Sequence, residues 1–309
     1  MTRKKAPASP VPSNARCGRN KLSDILIFDR AHVRHNRNRA NGRADFLHQW
    51  TLRAIADRMD VVKREFSLGL LIGATGSSSF QSDKIGNLIT MDLAEGLKPA
   101  IQGDEEFLPF APQSFDAILS CLTLHTVNDL PGALLQIGQT LKPDGFFLGA
   151  MLGGETLYEL RQVMMEAESN LHGGISPRIF PFADKPQAGA LLQRAGFSLP
   201  VIDSEIVTVT YENAFALMND LRLMGEGNAI VKRNKFFAGK DLFMEVARLY
   251  QEKFVEPDGR IPATFEIIFM LGWTPHETQQ KPKARGSATH SLADALGTIE
   301  HSAHEKTPA

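Results

Sequence analysis

Gly73 and Gly76 bracket a short loop that follows the apolar run Leu68 to Ile72. A loop of this kind lets the backbone pass close beneath a ligand where a Cβ would clash, and the N–H groups of a following helix start can hold a carboxylate. The same residues also make a plain tight turn. Asp92 comes sixteen residues after Gly76 and ends a second apolar run, Asn87 to Met91. A carboxylate at a strand tip can accept from both hydroxyls of a ribose, or be a surface acid. Asp104 and Glu105 stand just before Phe107-Leu108-Pro109-Phe110; an acidic pair there is a ligand contact or a solvated loop. Leu124 and His125 follow a third apolar run, where His125 could wall a pocket, move a proton or serve the structure. Tyr158 and Arg161, three apart on one helix face, are substrate-side candidates with an equal structural reading.

These residues need a scaffold that brings them to one edge, and the run from Asp104 to Arg161 supplies its pattern. Phe115 to Cys121 (FDAILSC) has the length and apolar content of a strand buried on both faces. Asn128 or Asp129 can cap the next helix, which places Leu130, Leu134, Ile137 and Leu141 on one face. Lys142-Pro143-Asp144-Gly145 stops it, with Gly145 expected to accept the positive φ of the turn. Phe146 to Met151 is a second buried strand. Strand, helix and strand in about 35 residues make a βαβ unit, so the sheet should be parallel with right-handed crossovers. Open sheets of this kind bind ligands at the carboxyl ends of their strands, which is where Gly73, Asp92, Leu124 and His125 would stand.

Around this unit, helices are expected over 44–59, 185–195, 214–224 and 240–253. Further strands are expected over 201–211 and 264–271. His172 to Phe182, punctuated by Gly and Pro, reads as a loop and a candidate lid.

The motif DEEFLPF, then FDAILS, then LH, then LKPDGFFLGA, resembles the second half of a class I S-adenosylmethionine-dependent methyltransferase domain. The later motifs are narrower: GGETLYELR, GGISPRIFPF, LLQRAGF, LMNDLRLMGEGN, PATFEIIFMLGW and RGSAT. They resemble the respiratory complex I assembly factor 5 family, over roughly Phe28 to Thr289. The resemblance implies an α/β fold of the class I methyltransferase (Rossmann-like) type. Its sheet would have seven mostly parallel strands, helices on both faces and an antiparallel last strand. It also implies S-adenosyl-L-methionine as cofactor, held by Gly73, Gly76, Asp92, Asp104, Glu105 and Leu124. In that family the acid of the DEEFLPF motif meets the adenine amino group and the apolar residues flank the ring. Family members act as protein-arginine hydroxylases on a complex I subunit. The first motif departs from the usual pattern: Leu71 stands where an acid precedes the first glycine, and there are two glycines instead of three.

Composition sets the outer limits. Apolar residues are 43% and charged residues 22%, an ordinary balance for a globular chain long enough to bury a real core. A net charge of −1 gives no global field for nucleic acid or membrane. Only Cys17 and Cys121 are present, so a disulfide is not expected, and no zinc-type Cys/His cluster occurs. Residues 1–43 carry eleven Lys or Arg against Asp24 and Asp29. The reading is a basic, disordered arm over 1–27, solvated or docking to an acidic partner or lipid headgroups. It is also acid-poor like a transit peptide, but it lacks the amphipathic period. A methyltransferase-like domain is expected over 28–274, with a helical insertion at about 212–258, and a polar tail over 275–309. The resemblance places the protein in the cytoplasm or at the periphery of the inner membrane, and in the matrix of a mitochondrion in a eukaryote.

Three functions compete. One is an enzyme of the methyltransferase fold that modifies an arginine of a complex I subunit during assembly. The second is a carrier-protein O-methyltransferase of the biotin-synthesis type, which shares the general motifs only. The third is an assembly chaperone on a decayed cofactor site, favoured by the altered glycine loop. None of the nine histidines is followed two residues later by an acid, the pair expected of a non-haem iron hydroxylase. Any oxygen chemistry therefore rests on the resemblance alone. We expect the first function, with His125, Tyr158 and Arg161 as catalytic candidates, no metal site and no nucleic-acid partner.

Overall fold

Strand β4 (Phe115–Cys121) lies near the middle of the sheet and shows how the chain is built. Alternate side chains leave its two faces: Ile118 enters one apolar core, Leu119 and Cys121 the other. The same alternation runs through β1 (Phe66–Ile72), where Leu70 and Ile72 face one core and Leu71 the other, so both faces must be covered. The structure is a computed structural model and describes residues 26–40, 45–73, 80–236, 238–280, 287 and 289–299.

The other strands are β2 (Ile85–Asp92), β3 (Ile101–Gln102), β5 (Leu141–Leu152), β6 (Ser198–Tyr211) and β7 (Ile261–Trp273). Their order is β3-β2-β1-β4-β5-β7-β6, the class I methyltransferase arrangement expected from the motifs. β1 pairs in parallel with β2 and β4, and β4 with β5; β7 runs antiparallel to both its neighbours. Its Phe269 and Ile267 enter one core and its Met270 and Ile268 the other.

Helices α2 (Phe46–Val61), α4 (Tyr158–His172), α6 (Ala214–Met224) and α7 (Lys240–Phe254) cover the first core. Helices α3 (Leu130–Thr140) and α5 (Lys185–Arg194) cover the second. Burying both sheet faces removes most of the chain's large apolar side chains from water, worth about 1.5–3 kcal/mol for each fully buried Leu, Ile or Phe. The helix expected between β1 and β2 would begin near Ser77, which lies outside the described residues.

One local alternative is decided and one expectation is corrected. The cap of α3 is Asp129, whose Oδ1 accepts from the Gly132 N–H at 2.9 Å. Asn128 instead accepts from the Ile27 and Phe28 N–H groups at 2.9 and 2.8 Å and ties the start of the domain to the end of β4. The bend in the first residues of β5 puts its positive φ on Asp144 (59°), not on Gly145. A Cβ on Gly145 would lie 2.7 Å from the Lys142 carbonyl oxygen, so that glycine answers a close approach.

The largest addition precedes the sheet. Residues Arg30–Arg39, at the start of the expected domain and assigned no element there, form helix α1, capped by Asp29 accepting from the His32 N–H at 3.1 Å. Only Ala31 and Val33 among its ten residues are apolar. Val33 packs with Phe28, Leu93, Phe180, Ala229 and Ile230.

The chain divides into two units, Met1–Pro275 and His276–Ala309. Within the second unit the described residues include a short helix, α8 (Leu292–Leu296). Arg285, Gly286 and Ala288 of the RGSAT motif lie outside the described residues.

Candidate active site

β1 ends at Gly73, whose φ is +84°. A Cβ there would lie 2.2 Å from the Cys121 carbonyl oxygen and 2.5 Å from Thr123 Cγ2, so no larger residue fits. The Gly73 N–H donates to the Met91 carbonyl at 2.9 Å, which locks the end of β1 to the end of β2. From α2, His48 Nε2 donates to the Gly73 carbonyl oxygen at 2.5 Å. Burial pushes His48 down to about 4, so the ring is neutral and Nε2 carries the proton. Gly76 lies outside the described residues.

Asp92, at the tip of β2, is fully buried. Its carboxylate is already engaged. Arg37 of α1 donates from Nε to Oδ1 at 3.2 Å and from Nη2 to Oδ2 at 2.5 Å, and the Ala94 N–H donates to Oδ1 at 2.8 Å. Arg37 Nη1 also reaches the Leu122 carbonyl oxygen at 3.5 Å. Burial works against the Arg37 charge, but Asp92, with Glu105 and Glu226 beyond it, outweighs that and raises the guanidinium's pKa.

Asp104 and Glu105 are engaged in the same way. Arg30, seven residues before Arg37, donates from Nη2 to Asp104 Oδ1 at 2.6 Å and to Glu105 Oε2. Seven residues are two helical turns, so both arginines leave one face of α1. Burial raises the pKa of Glu105, and Arg30 and Arg37 offset only part of that. Phe107, expected to flank a ring, is 76% exposed, whereas Leu108 and Phe110 are partly buried against the second core.

Leu124 and His125 form a short 3-10 turn just past β4. Leu124 is a core residue, packed with Leu70, Ile72 and Met91. His125 Nε2 stands 3.1 Å from Glu226 Oε2, and its ring lies 6.5 and 5.8 Å from those of Phe180 and Phe182. His125 Nδ1 is buried with no hydrogen-bond partner among the described residues. Burial would raise Glu226, but His125, Arg37 and His48 together hold its carboxyl below the ordinary range. Glu226 had not been picked out as a site residue. The signal was an acid between two glycines, Gly225 and Gly227, directly after α6.

Glu226 lies on the wall of a cavity of about 310 Å³, closed by Phe180, Phe182, Leu157, Met218 and Phe265 and rimmed by Arg39, Arg178 and Arg222. That volume suits one small ligand or a long side chain. The candidate lid, His172 to Phe182, is tied down beside it: Glu168 of α4 accepts from the Ser176 N–H and hydroxyl at 2.8 Å and from Arg178 Nε at 2.7 Å.

Tyr158 and Arg161 stand elsewhere. The Tyr158 ring packs against Phe254 at 6.2 Å, and Arg161 donates to the carbonyl oxygens of Gly154 and Thr156 at 3.3 and 3.0 Å. Neither lines the cavity: Arg161 secures the loop after β5, and Tyr158 packs α4 against α7.

The comparisons with known proteins bear on the fold and the family. A family model described as a methyltransferase domain matches residues 74–149. The crystal structure of YcgJ from Bacillus subtilis shares the fold, with a TM-score of 0.51 and 15% identity over 74% of this chain and all of that one. The mouse protein named arginine-hydroxylase NDUFAF5, mitochondrial, is 41% identical over 317 residues, spanning 97% of this chain and 91% of the mouse chain. The chain belongs to the arginine-hydroxylase NDUFAF5 family. A malonyl-[acyl-carrier protein] O-methyltransferase from a Methylovorus species is 30% identical over 90% of this chain and 96% of its own. As a member of the NDUFAF5 family, the protein is a class I methyltransferase-like enzyme. The carboxyl edge of its sheet gathers Gly73, Asp92, Asp104, Glu105 and His125 around one place, and it adds α1, which the motifs did not announce.

Proposed function

We propose that this protein binds S-adenosyl-L-methionine across the carboxyl edge of its sheet and modifies an arginyl side chain of a protein partner, a subunit of respiratory complex I during assembly. The observation that carries the reading is the alignment of buried acids with an adjoining cavity. Asp92 would take the ribose hydroxyls, Asp104 and Glu105 the adenine edge, and Gly73 leaves the backbone room that a Cβ would fill. These residue types fit the cofactor, which when bound supplies an electrophilic methyl group. The 310 Å³ cavity beyond Glu226 would take the acceptor. Its apolar wall suits an alkyl stem. Glu226 Oε1, which has no hydrogen-bond partner among the described residues, suits a cationic head.

The protein would meet its partner in the cytoplasm or, in a eukaryote, in the mitochondrial matrix, at the inner membrane surface. No described helix is long and apolar enough to cross a membrane.

Calorimetric titration of the purified protein with S-adenosylhomocysteine tests the cofactor site. Binding should weaken at least tenfold in Asp92→Ala, because hydrogen bonds to a charged group contribute about 1.5–3 kcal/mol each. Mass spectrometry of a co-expressed complex I subunit then tests the acceptor. Methylation of a malonyl thioester, with no modified arginine, would instead favour the carrier-protein reading, for which the arginine rim of the cavity is the supporting feature.

A further inference from the structure

The acids best placed for a nucleoside are the acids that α1 occupies. Arg37 uses both oxygens of Asp92, and Arg30 bridges Asp104 and Glu105. A cavity of about 40 Å³ beside Arg37 is lined by Asp45, His48, Leu122 and Glu226 among others, well below the roughly 300 Å³ that a small-molecule ligand needs. With α1 seated, the hydrogen-bonding groups that a nucleoside would use at Asp92 are taken among the described residues.

The composition of α1 shows why it could leave. Its apolar contribution is Val33, and Ala40 directly after the helix packs with Ala94 and Leu97. Apart from those it is held by polar contacts: the two arginines, Asn36 Nδ2 donating to the Gly227 carbonyl at 2.8 Å, and the Gly96 N–H donating to Asn38 Oδ1 at 2.8 Å. The polar contacts exchange for water or ligand at little net cost, since a typical intramolecular hydrogen bond contributes only about 0.5–1.5 kcal/mol. The acids cannot stand alone. Asp92 and Glu105 are 0% and 1% exposed, and an unpaired buried carboxylate is strongly unfavourable. A guanidinium in the empty state and ribose and adenine groups in the filled state would each satisfy them.

We propose that α1 is a built-in competitor for the nucleoside pocket: Arg37 and Arg30 seal Asp92 and the Asp104–Glu105 pair until the cofactor displaces them. This rests on the cofactor reading above and adds its control. Cofactor affinity is set by the difference between two occupants of the same carboxylates, and anything that holds α1 away from the sheet edge opens the site.

The test uses the full chain and S-adenosylhomocysteine. The double variant Arg30→Met/Arg37→Met should bind at least tenfold more tightly than the unaltered protein. Val33→Asp, which keeps both arginines in the chain but undocks the helix that carries them, should do the same and covers the case in which the double variant fails to fold. Hydrogen exchange on the unaltered protein needs no substitution: α1 amides should exchange faster when the ligand is saturating. Binding by the unaltered protein, with no gain in either variant and no change in α1 exchange, overturns the competitor and leaves the cofactor reading intact. Weaker binding in the double variant also overturns it, since Arg37 or Arg30 would then serve the ligand. No binding by any form up to millimolar ligand removes the cofactor reading, and the competitor with it.

Discussion

His125 and Glu226 are 101 positions apart in the chain, and their Nε2 and Oε2 atoms meet at 3.1 Å where the turn after β4 faces the loop after α6. The pair stands between the acids of the sheet edge and the 310 Å³ cavity. On the proposed function, a bound cofactor and an acceptor side chain would approach one another here.

Glu226→Gln keeps the shape and removes the charge. Turnover of the protein substrate should fall by about 100-fold or more if the carboxylate orients the acceptor or takes its proton. Binding of S-adenosylhomocysteine should stay within about threefold. The comparison is single-turnover kinetics against calorimetry on the same preparation. Loss of both together would mean that Glu226 only holds the fold.

Arg37 and Asp92 form a buried ion pair, and removing one partner should strand the other. Asp92→Ala leaves Arg37 buried without its carboxylate, and urea unfolding should show a loss of about 3–5 kcal/mol. Replacing both, as Arg37→Met/Asp92→Leu, should recover most of that loss, because an apolar pair carries no desolvation cost. Similar losses in the single and double variants would show that the pair is already solvated.

Gly73→Ala should destabilise the protein by at least about 2 kcal/mol. The φ of +84° alone costs an L-residue about 1–2 kcal/mol, and the added Cβ meets a backbone carbonyl at 2.2 Å that cannot swing away. The thermal midpoint measures it; an unchanged midpoint would mean that the end of β1 is free to rearrange.

His48 predicts a pH dependence. Its ring is held neutral, with a folded pKa of about 4 against 6.5 for the free side chain. Between those values the unfolded chain binds a proton that the folded protein refuses, so stability falls as pH drops from 6.5 toward 4. The full loss is on the order of 3 kcal/mol. Glu226, whose pKa is lowered, adds a loss in the same direction at lower pH, as it protonates. Urea midpoints between pH 4 and 7 should show the slope, and His48→Gln should flatten it above pH 5.

Much of this protein was legible in its sequence because it is local. The runs at 68–72 and 115–121 are short and mostly apolar, so they read as interior strands, and β4 has the expected ends. Helices α6 and α7 appeared in their apolar spacing, at Ala214 and Leu221 and at Leu242, Val246 and Leu249. The motif from Asp104 to Ala150 carried the strand order, and the later motifs carried the family. Asp92 is readable as the acid at the tip of a strand, and it ends β2.

The tertiary structure decided what meets what. Helix α1 has no apolar stripe, so hydrophobic periodicity could not reveal it; its order comes from carboxylates 55 to 75 residues further along the chain. His125 gained a partner only through a loop 101 residues away, and Tyr158 and Arg161 stand off the 310 Å³ cavity, one against Phe254 and the other on the loop after β5. Residue types and spacing fix which groups can do chemistry and which faces must be buried, since those depend on a few neighbours along the chain. Which charge neutralises which depends on distances across the fold, where a buried carboxylate must find a partner wherever the packing brings one.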